Sequence, residues 1–145
     1  MNSLFDKDHI KVKVSVNDYE DAIKQAGQIL VDTKSIKEKY IQDMLDAVKK
    51  LGPYIVMAPG FALAHARPSE DVIKDDVSII TLKEPVNFNS INDPVYIVMC
   101  LAAKSSDTHV ETMQKIATIL MQENTLENIK KANSIEEIQK IFEVK

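Results

Sequence analysis

The sequence predicts an α/β fold, one β-sheet with helices packed on it. Three observations carry that expectation. Helical periodicity occupies both ends of the chain, and short apolar segments bounded by turn residues fill the middle. One of these segments, Val95 to Ala103, is apolar along nearly its whole length, as a strand covered on both faces must be.

Ile10, Val12 and Val14 alternate with Lys11 and Lys13, a strand with one wet face. Asn17-x-x-Glu20 is the Asn form of a capping box. The helix it opens carries Ala22, Ile23, Ala26, Ile29 and Leu30 on one stripe. Ser35-x-x-Glu38 is a second box, and its helix turns Ile36, Tyr40, Ile41, Met44, Leu45, Val48 and Leu51 inward before Gly52-Pro53 stops it. Tyr54 to Met57 reads as a short strand, Pro59-Gly60 as a turn and Phe61 to Ala64 as extended chain. Val77 to Leu82 and Val86 to Phe88 read as strands, and Asn89 to Asp93 as a polar turn. After Val95–Ala103, Lys104 to Thr108 is a loop. From about Asp107 to Gln122, Val110, Met113, Ile116, Ala117 and Leu120 recur at helical spacing. Asn124-x-x-Glu127 and Ser134-x-x-Glu137 open two short terminal helices. With no internal repeat or linker, residues 1–145 read as one domain.

Composition narrows the function. Apolar residues at 45% and charged residues at 28% describe a soluble globular chain. Only 3 glycines argue against a glycine-rich nucleotide loop. A net charge of −4 repels nucleic acid and anionic lipid, so neither is an expected partner. Cys100 is the single cysteine; it cannot form an internal disulfide, which implies a reducing compartment, and mid-strand it reads as a small buried hydrophobe. Met1 to Asp8 lacks the apolar stretch of a signal peptide. The longest apolar run is about half the ~20 residues that span a bilayer. The expectation is a cytoplasmic protein without direct membrane insertion, with a homodimer left open.

Of the histidines, His9 lies in a charged segment and reads as solvated. His65 and His109 each stand where an apolar strand runs out, and ligands of open α/β sheets gather at strand ends. A metal site through His65, His109 and Asp107 lacks diagnostic spacing. A serine nucleophile lacks its G-x-S-x-G elbow. Histidine acting as its own nucleophile remains: imidazole is largely neutral near pH 7 and can hold a phosphoryl group. That chemistry gives Arg67 a role, since its planar fork suits phosphate oxygens. Two residues beyond His65 on an extended strand, it would point to the same side. His109 adds a donor, and Thr108 or Ser106 a hydroxyl. Phe61, Leu63 and Ala64 form the apolar centre of a docking patch if exposed, and core if not. Residue chemistry by itself stops at an anion site.

The stretch GPYIVMAPGFALAHARP, Gly52 to Pro68, resembles the enzyme IIA components of the bacterial sugar phosphotransferase system, in the ascorbate-type branch of the mannitol/fructose class. Asp21 to Val31, Asn92 to Ala103 and Asp107 to Leu120 resemble the family's first helix, central strand and second-histidine segment. The resemblance implies a mixed sheet with helices on both faces and a phosphotransferase working through phosphohistidine. His65 would accept phosphate from the phosphorylated carrier protein HPr and pass it to a cysteine of enzyme IIB. His109 would support the phosphoryl group, and Arg67 would stabilise its charge. Donor and acceptor are both proteins, so no cofactor is implied. Ascorbate or a pentitol-like sugar is the substrate the branch suggests. The alternative is a regulatory module whose His65 phosphorylation switches partner binding. Ala64 stands where the family usually has proline, which would fix φ near −65°; alanine there implies a less rigidly held His65.

Overall fold

The computed structural model describes residues 5–143; the first four residues of the polar N-terminus and the last two of the expected 1–145 span lie outside the described residues. The elements are β1 (Ile10–Val14), α1 (Tyr19–Asp32), α2 (Glu38–Leu51), β2 (Val56–Ala58), β3 (Phe61–Ala64), β4 (Asp76–Val86), β5 (Val95–Ala102), α3 (Ser106–Leu120), α4 (Thr125–Lys131) and α5 (Ile135–Ile141). The five strands form one sheet in the order β1-β4-β5-β3-β2. It is mixed: β1 runs parallel to β4 and β3 to β5, while β4–β5 and β2–β3 are antiparallel.

Side-chain alternation sorts the central strands into two cores. Ala62, Ala64, Ile80, Val98, Cys100 and Ala102 pack toward α1 and α2. Their neighbours Phe61, Leu63, Val77, Ile79, Ile97, Met99 and Leu101 pack on the other face with Ile116, Ile129, Ile138 and Phe142 of the C-terminal third. Both faces are covered, which is why β5 is apolar at every position but one. The parallel pairing sets Ala64 opposite Cys100, and the antiparallel pairing sets Asp76 opposite Ala102. The C-terminal ends of β3 and β5 and the N-terminal ends of β4 and β1 therefore share one end of the sheet.

Local grammar departs from expectation in several places. Gly52 closes α2 at φ 85°, a conformation that favours glycine, so the predicted stop holds. Leu51, read as inward, is 66% exposed; it is in phase with Met44 but is the last helical residue, with no core left to cover. The first cap falls one residue late: Asp18 accepts from the Asp21 amide, and Asp21 in turn accepts from the Asn17 amide. Ser35 does not cap α2, because its hydroxyl donates to Asp76. Asn124 sits at φ 66° and makes no side-chain cap, whereas Ser134 caps α5 as read.

The two strands read at 77–82 and 86–88 are one, ending at Val86. The ladder slips between Thr81 and Val86, around Pro85, which has no N–H to donate. Tyr54 lies in a turn before β2, which begins at Val56. On α3 only Ile116 is fully buried; Met113 and Leu120 are half-buried, Ala117 is exposed and Val110 is 51% exposed.

Candidate functional site

β3 ends at Ala64, so His65 is the first residue past the ladder, half-buried. Ala64 itself is buried and paired with Cys100, so the strand holds the residue that lacks the family's proline. His109 arrives from β5 through a short connection. Ser105 caps α3 by accepting from the Thr108 amide, so Ser106 to Thr108, read as the end of the 104–108 loop, already belong to the first turn of the helix that carries His109. Asp75 anchors the connection, accepting from the Lys104 amide at 2.6 Å and from the Thr108 hydroxyl at 3.2 Å. The Thr108 hydroxyl is thereby engaged.

The two imidazole centroids lie 5.2 Å apart with planes at 63°. Nδ1 of His65 is 2.7 Å from the Leu63 carbonyl oxygen. A carbonyl only accepts, so Nδ1 carries the proton and Nε2 carries the lone pair. Burial lowers the pKa of His65 below its ordinary value, with the Leu63 bond opposing in part, so the ring is neutral near pH 7. Burial and the neighbouring His65 likewise lower that of His109. Nδ1 of His109 is buried with no hydrogen-bond partner among the described residues. Such an atom is rare and marks a place where a polar group is accepted. The arrangement offers one aimed nucleophilic nitrogen beside a second imidazole with hydrogen-bonding capacity to give.

Arg67 is exposed and makes no hydrogen bond or ion pair with the described residues. Its period-2 argument does not apply, because the strand has ended three residues earlier. Phe61, Leu63 and Ala64 are all buried, so the apolar docking centre read there is core. The apolar surface beside the histidines is instead Tyr54, 38% exposed, and Val110. Asp107 does not join the imidazoles; among the described residues the one grouping with ligand atoms within 4.8 Å is Asp6, Asp8 and His9. His9 is not solvated. It is buried, with Nδ1 2.6 Å from Asp8 and Nε2 2.7 Å from Asp76. Burial opposes its charge, but the two carboxylates prevail and raise its pKa.

Sequence reasoning missed two tyrosines. The Tyr54 hydroxyl donates to the His65 carbonyl at 3.0 Å, and its ring stands edge-on to the imidazole at 5.2 Å. The buried Tyr40 hydroxyl accepts from the Ala66 amide at 3.0 Å. Tyr54 was read as the first residue of a strand and Tyr40 as an inward helical residue; nothing in the sequence signalled the backbone partner of either hydroxyl.

Residues 3–145 match the family model described as phosphoenolpyruvate-dependent sugar phosphotransferase system, EIIA 2. The chain belongs to this family. An ascorbate-specific PTS system EIIA component from Salmonella choleraesuis is 34% identical over 139 residues, covering 94% of this chain and 90% of the relative. The solution structure of the mannitol-specific cryptic phosphotransferase enzyme IIA CmtB from Escherichia coli superposes with a TM-score of 0.87 at 32% identity, covering 96% and 95% of the two chains. A complex of enzyme IIAMTL with phosphorylated enzyme IIBMTL from Escherichia coli matches at a TM-score of 0.85, covering 95% of this chain and 96% of that one; at 23% identity it shows the shared fold. The chain is thus an EIIA component of the sugar phosphotransferase system with that family's mixed α/β architecture. Among the described residues no helix is long and apolar enough to cross a membrane.

Proposed function

We propose that this EIIA chain, acting as one domain in the cytoplasm, is a phosphoryl carrier whose covalent site is Nε2 of His65. The observation that carries the reading is the Nδ1 bond to the Leu63 carbonyl, which leaves Nε2 bare next to His109. The lone pair of Nε2 attacks phosphorus of phospho-HPr; the donor's N–P bond breaks and its electron pair returns to the donor imidazole. His109 offers a proton to a phosphoryl oxygen through its otherwise unpartnered ring nitrogen, and Arg67 adds charge from the surface. A thiolate of enzyme IIB then takes the phosphoryl group by the reverse displacement. Loose phosphoryl transition states are served mainly by such positioning and electrostatics. The mannitol IIA–IIB complex supports docking of this fold to an enzyme IIB, and the ascorbate-specific relatives support ascorbate as the transported substrate.

Incubation with phospho-HPr tests the reading. The expected product is an acid-labile, base-stable adduct on His65, absent from His65→Ala. No transfer to the wild-type chain overturns it. His109→Ala is expected to slow transfer while leaving the circular dichroism spectrum unchanged. Onward transfer to an ascorbate-type enzyme IIB is expected to exceed transfer to a mannitol-type one.

A further inference from the structure

We propose that the hydroxyls of Tyr54 and Tyr40 are positioning groups for phosphoryl transfer, holding the backbone on either side of the His65–Ala66 peptide so that the imidazole stays aimed beside His109. The inference rests on the reading of His65 as the phosphoryl acceptor.

The β3 ladder ends at the Ala64–Cys100 pair. Beyond it the chain leaves the sheet, and its next backbone groups need other partners. Two side chains supply them. Tyr54 donates to the His65 carbonyl at 3.0 Å, and Tyr40 accepts from the Ala66 amide at 3.0 Å. Consecutive polar groups of one peptide unit are thus caught from two different elements, the turn after α2 and α2 itself.

Tyr40 does more than satisfy an amide. It is fully buried, and its hydroxyl oxygen lies 3.0 Å from the Leu101 carbonyl oxygen and 3.1 Å from that of Ala66, either of which can accept its proton. Leu101 belongs to β5, the strand that leads into α3 and His109. One hydroxyl therefore ties the His65 segment to the strand that delivers its companion. Tyr54 acts on the ring as well as the backbone. The His65 imidazole meets the Tyr54 ring at 5.2 Å and the His109 ring at 5.2 Å, while Nδ1 is held by Leu63. A half-turn of the ring would break that bond and move Nε2 from the position the Leu63 contact gives it. Burial raises the pKa of both phenols, so both keep their protons across the working pH range.

Two measurements test this. In steady-state transfer from phospho-HPr, Tyr54→Phe keeps the ring and loses one donor; kcat should fall about three- to tenfold, the rate equivalent of one neutral hydrogen bond, with KM for the donor unchanged. Tyr40→Phe should act in the same direction and lower Tm as well, since it strands the Ala66 amide. In the unphosphorylated protein, nitrogen NMR of the His65 ring should show the Nδ1–H tautomer alone in the wild type and a mixture of tautomers in Tyr54→Phe. A Tyr54→Phe protein with wild-type kcat and a single wild-type tautomer overturns the proposal. If the wild type takes no phosphate from phospho-HPr, the functional reading fails, and the tautomer comparison still decides whether the tyrosines aim the ring.

Discussion

As the proposed phosphoryl acceptor, His65 reacts only as the neutral ring, and its burial places the loss of that form below the ordinary histidine value. Phosphoryl uptake should therefore be full above about pH 6.5 and fall as pH drops through the lowered pKa. A pH–rate profile with its midpoint above 6.5 would contradict the buried, neutral site. His9 runs the other way, because Asp8 and Asp76 raise its pKa. Its contribution to stability is complete below about pH 6.5 and is lost as pH rises through the raised folded value. The difference in unfolding free energy between wild type and His9→Ala, measured by urea titration across pH, should be largest in acid and shrink in alkali. His65 and His109 were legible as a pair because parallel strand ends converge, and an apolar run marks where each strand stops. His9 was not, since its partner Asp76 lies 67 positions away with no pattern linking them. The tyrosines escaped for the same reason: a hydroxyl bonding a backbone group 11 or 26 residues distant leaves no periodic trace.

Among the elements, α1 and α2 meet closely at Gly27. A Cβ built there would lie 2.8 Å from Cγ1 of Ile41 and 3.3 Å from Cε of Met44. Gly27→Ala would gain up to ~1 kcal/mol in helix propensity. It would also force a β-branched neighbour with a stiff χ1, and overpacking of a filled core costs about 1–3 kcal/mol. The net expectation is a loss of about 1 kcal/mol in denaturant unfolding; a more stable variant would show that α2 yields freely. Element existence was readable from periodicity, and the caps were less so. Ser35 has a capping sequence, yet its hydroxyl is drawn to Asp76 across the fold, and α2 starts without it. Asn17 and Asp18 compete for one cap, and the geometry of the first turn chooses Asp18. For α3 the apolar stripe gave the helix but overstated its burial, because periodicity reports phase and not how near the sheet lies.

For the molecule as a whole, the two-faced sheet followed from the near-continuous apolarity of β5, but the order β1-β4-β5-β3-β2 did not, since it depends on pairings with no local signature. Nor did the closure of the chain's ends. Phe5 and Phe142 are both buried and pack edge to face at 4.9 Å, joining the N-terminal segment to the C-terminal helical layer. Phe142→Ala should destabilise by roughly 3–5 kcal/mol and lower Tm by several degrees or more, read by thermal melting. A carrier of the kind proposed must also unload. With Nε2 bonded to phosphorus and Nδ1 still protonated, the ring is a cation, and a cationic imidazole is a ready leaving group. The Leu63 carbonyl stabilises that cation. In that proposed role, one main-chain oxygen prepares His65 for departure of its cargo as well as for arrival.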